Sequence, residues 1–141
     1  MFRKLESFAP QILGLTRILV GILIACHGAQ KLLGAFGGTP PGVPAFIIWI
    51  AGPIELVGGA LLALGLFTGG TAFLMSGLMA AAYFMGHASH GFWPIKNGGE
   101  LAIAYSWLSL YMAAAGPGAW ALDHLRSQKG TSVAGHRSAT A

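Results

Sequence analysis

Charge is nearly missing from this sequence: of 141 residues only four are acidic and eight basic, so charged side chains make up 9% of the chain, where a soluble domain carries about a quarter. Between Lys31 and Lys96 the one formal charge is Glu55, and from Leu101 to Leu122 there is none. A chain this short cannot bury so much apolar surface in a core of its own, which excludes an ordinary soluble globule and leaves lipid as the solvent. Cysteine is as scarce. Cys26 alone excludes an intrachain disulfide, a CxxC redox pair and a cysteine-built zinc or iron–sulfur site, so any electrons come from outside the chain. The net charge is +4 and the isoelectric point about 9.7, but the basic residues form no stripe with interleaved stacking side chains, which excludes nucleic acid as a partner.

What the sequence does have is hydrophobic residues, 55% of the total, with a mean hydropathy of +0.67. Apolar stretches of about 20 residues predict helices from Gln11 to Leu33, Pro44 to Phe67, Gly70 to His87 and Gly99 to Leu122. The expected fold is therefore all-α, an antiparallel bundle of four transmembrane helices. Arg3 and Lys4 precede the first span, while Arg126, Lys129 and Arg137 follow the last, so both termini are expected in the cytoplasm. The division is a cytoplasmic segment 1–10, a membrane domain 11–123 and a disordered tail 124–141. The apolar run ending in LIAC at Cys26 partly resembles a lipoprotein cleavage site, but Arg17 interrupts it and the helical pattern continues past Cys26, so the first helix is expected to be retained. Gly14, Gly21 and Gly28 recur every seventh residue, and Gly52, Gly58 and Gly59 flank Glu55. Such spacing lets helix backbones approach closely.

Glu55 is the most informative residue. It falls roughly 16 Å into its helix at 1.5 Å per residue, near the predicted midplane, where a carboxylate must be paired, hydrated or protonated. His27 should lie roughly 9 Å below the outer end of the first helix, offset from Glu55 by about 7 Å, and it shares a face with Gln30 and Lys31. His87 closes the third helix on the same side. Trp107 and Tyr111 follow Glu100 along one stripe of the fourth helix; such aromatics serve as core, face lipid or stack on a planar ring. In the loop before that helix, Asn97 and Glu100 have the spacing of a helix cap with its reciprocal acidic partner, and Trp93 reads as an interfacial anchor. His27, Glu55 and His87 are the candidate catalytic groups. Gln30, Lys31, Trp93, Asn97, Glu100, Trp107 and Tyr111 are the candidate substrate-binding ones, and no residue is assigned to a metal.

HGAQKLLGAFGG from His27, ELVGGALLALGLFT from Glu55, and GHASHGFWPIKNGGELAIAY followed by GPGAWALD together resemble the DoxX family of small bacterial membrane proteins. The resemblance runs from about Gly14 to Asp123. It rests on His27, Gly28, Gln30, Lys31, Gly37, Gly38, Glu55, Gly58, Gly59, Phe92, Trp93, Pro94, Asn97, Gly98, Gly99 and Glu100. It implies a four-helix inner-membrane protein linked to redox metabolism, some relatives being associated with thiosulfate:quinone oxidoreductase. Three functions stay open. The first is a quinone- or quinol-linked oxidoreductase component in which Glu55, His27 and His87 carry protons. The second is a metal or haem site using His27, His87 and His90 with Glu55 or Glu100. The third is a non-enzymatic anchor or assembly subunit of a redox complex. The expected partners are the lipid bilayer, a redox partner protein and a second copy of the chain.

Overall fold

The computed structural model describes residues 2–126. Helix α1, Phe2–Glu6, is followed after two residues by α2, Ala9–Leu33, which has Pro10 in its first turn and ends at Gly34 in a left-handed conformation (φ 67°). A wide helical turn over Ile47–Ala51 leads into α3, Gly52–Leu64. The widening lies beside Pro53, which has no N–H to give to the preceding turn, and the Gly52 N–H reaches back to the Ile47 carbonyl instead. Gly65, again left-handed at φ 67°, stops α3. Helix α4, Thr68–Ala82, runs on through a wide turn at Tyr83–His87 and a tight one at Ala88–His90. The short α5, Pro94–Asn97, precedes α6, Glu100–Ala115.

Three helical stretches, Ala9–Leu33, Ile47–Leu64 and Thr68–His90, are long and apolar enough to cross a membrane. The fourth expected span, Gly99 to Leu122, is shorter than the sequence pattern predicts. Its helix stops at Ala115, where Gly116 takes φ 89° and Pro117 follows, leaving 16 residues or about 24 Å against a hydrocarbon thickness of about 30 Å. The apolar run continues to Leu122, but as irregular chain. Residues 123–126 form a further helical turn, and the rest of the expected tail, from residue 127, lies outside the described residues.

Close backbone approach explains the glycine spacing. A Cβ on Gly59 would stand 2.5 Å from the Ala25 nitrogen and 2.6 Å from the Gly21 oxygen, and one on Gly14 would stand 2.5 Å from the Ala119 oxygen. Gly28 abuts Leu56 and Gly21 abuts Ala63, so α2 and α3 are antiparallel and in near backbone contact, the geometry that small residues permit between membrane helices. α4 packs beside α3, and α6 lies along α4. Val20, Ile24, Leu62, Ala72, Met75, Met79, Tyr105 and Met112 fill the centre.

Candidate functional site

The buried stripe of α6 is Ala102, Tyr105, Ser109 and Met112, a spacing of three and four that defines one helix face. Glu100, Trp107 and Tyr111 lie on other faces and are exposed, Trp107 at 68% and Tyr111 at 60%. Of the roles open to these aromatics the structure gives the outward-facing one to Trp107 and Tyr111, while Tyr105 points inward. Trp93, at 61% exposure, packs edge to face with Phe92 on the loop.

Glu55 is 4% exposed, and its carboxylate pairs with the Lys31 ammonium at 2.5 Å. The pairing follows from the register of α2 on α3. Since Gly28 meets Leu56 and Gly52 meets Lys31 and Leu32, Glu55 sits about 8 Å from the Leu33 end of α2, within reach of the Lys31 stem. This corrects the expected depth: Glu55 lies towards one end of the fold and level with His27, so the expected 7 Å offset disappears. His27, half-buried one turn before Lys31, meets the ring of Tyr105 edge-on, with centroids 6.4 Å apart. Gln30 is half-buried beside them in sequence. Among the described residues no hydrogen bond joins His27 to Glu55.

His87 belongs to a different cluster at the same end. Its ring stacks on Tyr83 at 6.5 Å, and its Nδ1 lies 3.1 Å from the Asn97 carbonyl oxygen. The Asn97 side chain donates to the Gly91 carbonyl at 2.8 Å and accepts from the Gly99 N–H at 2.8 Å. The expected capping pair of Asn97 and Glu100 is not formed: the residue at the N-terminus of α6 is Gly99, and Asn97 closes the loop onto it. Trp93, Asn97 and His87 thus order a loop, while Lys31, Glu55, His27 and Tyr105 form the polar group between the helices. Among the described residues no three His, Cys, Asp or Glu side chains converge as metal ligands.

Composition gave no role to Arg17 and Asp123 at the opposite end, nor to Ser109 midway along α6. Arg17 is fully buried, and its five N–H donors all meet carbonyls: Nε to Pro117 at 2.8 Å, Nη1 to Leu62 at 2.8 Å and Ala63 at 2.5 Å, Nη2 to Ala119 at 3.1 Å and Trp120 at 3.2 Å. It therefore caps the C-terminal carbonyls of α3 and pins the irregular chain after α6. Asp123 accepts from the Phe67 and Thr68 N–H groups at 2.8 Å each, capping α4 where Phe67 is left-handed at φ 53°. Burial pushes the Asp123 carboxyl up, but the hydrogen bonds from Thr68 and Phe67 and the nearby Arg126 outweigh it and hold it below its ordinary value. Ser109, on the inward stripe of α6, keeps a buried hydroxyl with no hydrogen-bond partner among the described residues. The lone charge in an apolar run was a visible signal for Arg17; its partners, all backbone carbonyls, have no sequence signature.

The DoxX family model matches residues 12–88. An uncharacterized protein of Haemophilus influenzae is 45% identical over 127 residues, covering 86% of this chain and 95% of that protein. The inner membrane protein YqjF of Escherichia coli is 31% identical over 134 residues, covering 90% of this chain and 98% of its own. No solved structure matches.

Proposed function

The chain belongs to the DoxX family, and from that premise we propose that it is a quinone- or quinol-handling redox component of the bacterial inner membrane, working at the polar group between its helices. The observation that carries this reading is the buried Lys31–Glu55 pair. Reduction of a quinone takes up protons together with electrons, so the ring oxygens need proton-exchanging groups where water is sparse. The Lys31 ammonium can give a proton to a ring oxygen that has gained an electron, which neutralises the charge the electron brings, and the pair then regains its proton from water at the partly exposed lysine end. His27 beside Tyr105 supplies a second exchangeable proton and an aromatic edge. Electrons are delivered by a partner protein. Arg3, Lys4 and Arg126 at one end support both termini on the cytoplasmic side, with α6 and the chain after it as the fourth crossing. The name of the Escherichia coli relative supports the inner membrane. Titration of the purified protein with a water-soluble short-chain quinone is the test. Saturable binding, weakened about tenfold in Glu55→Gln by loss of one charge-assisted bond, agrees with the reading, and equal binding by both proteins refutes it.

A non-enzymatic anchor or assembly subunit is the second reading, favoured by the self-sufficiency of the buried polar groups. Arg17 spends every donor on backbone carbonyls and Glu55 is satisfied by Lys31, as in residues that specify packing. Under that reading mild solubilisation brings down a stoichiometric partner, and His27→Ala changes nothing.

A further inference from the structure

The polar residues are not spread evenly along the bundle, and their order along its axis carries an inference about access. Starting at the Leu33 end of α2, the first level holds Lys31 against Gly52, and the next holds Glu55 with Gly28 against Leu56. The Lys31 side chain keeps 15% of its surface exposed and that of Glu55 5%, so the pair is open at its lysine end and closed at its carboxylate end. Below it, Ile24, Leu62, Met75 and Met112 are each 0% exposed and Val20 is 4% exposed. The Met75 side chain fills the space beside Gly58, where a Cβ would meet its Cε at 2.6 Å. This layer contains no charged side chain. Arg17 stands at the Leu62 end of this core, a buried cation whose five donors are already bound, one of them to the Leu62 carbonyl. It has no hydrogen to offer a passing ligand, and its fixed charge repels protons and cations in a region of low dielectric.

We propose that the Lys31–Glu55 site exchanges protons and polar ligands with one side of the membrane only, the side of the Lys96 loop, and is sealed from the side of the termini by the Ile24, Leu62, Met75 and Met112 layer backed by Arg17. The charged and titratable groups around the site agree with this division. Lys31 and His27 on α2 and Tyr105 on α6 stand at the open end, whereas Arg17 and Asp123 stand beyond the seal. The same geometry sets the direction from which a partner acts: a polar donor or acceptor that reaches the pair comes from the compartment that contains Phe92 and Trp93, both largely exposed on the Lys96 loop.

The lysines of the chain provide the test without an introduced label. Protein reconstituted in sealed vesicles of defined orientation is treated with a membrane-impermeant acylating reagent added outside, and acetylated peptides are counted by mass spectrometry. Lys96 reports one side, while Lys4 reports the other. In the wild type Lys31 reacts slowly and only in vesicles where Lys96 reacts. In Glu55→Gln, which removes the carboxylate that holds the ammonium, its rate rises at least tenfold and keeps the same sidedness. Acylation of Lys31 in vesicles where Lys4 reacts and Lys96 does not overturns the proposal, as does an unreactive Lys31 on both sides of the Glu55→Gln protein. An unchanged near-ultraviolet circular dichroism spectrum shows that the variant has folded, and an unchanged pattern at Lys4 and Lys96 that it is oriented as the wild type. The result does not depend on a quinone: a failed quinone titration leaves the labelling pattern as it is.

Discussion

Replacement of Arg17 by Lys gives the sharpest test of how the fold is held at its terminal end. The charge is kept, so the difference between the two proteins lies in hydrogen bonding and shape. Arg17 reaches carbonyls in two separate segments, Leu62–Ala63 and Pro117–Trp120, with a planar fork of five donors. An ammonium has three donors at a single point. At least two of the five bonds are lost, and each bond to a charged group is worth about 1.5–3 kcal/mol, so the cost is about 3–6 kcal/mol before any rearrangement. Three of the five carbonyls, those of Pro117, Ala119 and Trp120, lie in irregular chain, which finds no replacement donors in lipid. Thermal unfolding in detergent, followed by near-ultraviolet circular dichroism, should show a large fall in Tm for Arg17→Lys. Limited proteolysis should cut first between residues 116 and 122. A variant within 1 kcal/mol of the wild type, or one first cut elsewhere, would refute the claim that this guanidinium organises the end of the bundle.

Other consequences follow from the same geometry. Gly59→Ala places a methyl group against the α2 backbone and should cost about 1–3 kcal/mol as overpacking, read as a fall in Tm, whereas Gly77→Ala, where nothing stands within 4 Å, should cost nothing. The folded-state pKa of Asp123 is depressed below its ordinary value, so its contribution to stability is fully present above the unfolded carboxylate value of about 3.9 and is lost as pH falls through the lower folded value. Asp123→Asn should flatten the acid limb of the Tm profile below about pH 4, and an unaltered slope there would contradict the cap. Asn97→Ala removes both the donor to Gly91 and the acceptor for Gly99 and should speed amide exchange in residues 91–99, with no change in α2 or α3.

Much of the fold was legible because lipid imposes simple rules. The apolar runs located three spans, and Gly21 and Gly28 marked the face of α2 that meets α3. The fourth helix is shorter than its apolar run because hydrophobicity does not report what is helical, and GPG from Gly116 to Gly118 breaks the helix before the hydrophobicity ends. At the site, Lys31 and Glu55 were both marked by their isolation as charges. Their pairing depends on the register of α2 against α3, which periodicity does not supply. The same gap explains Trp107 and Tyr111: stepping from Glu100 defines a stripe, but only packing against α4 decides which stripe faces inward, and that stripe carries Tyr105 and Ser109.

The central claim, that the buried ion pair is a working site, is separated from a packing role by one comparison. A double variant, Lys31→Met with Glu55→Leu, removes both charges together and leaves no buried charge unpaired, so the fold should survive with a Tm near that of the wild type. Quinone titration of the two proteins side by side then decides. The wild type should bind saturably, and a double variant that remains folded should not bind. Equal binding by both would contradict it and leave the pair as a device that sets the register of α2 on α3.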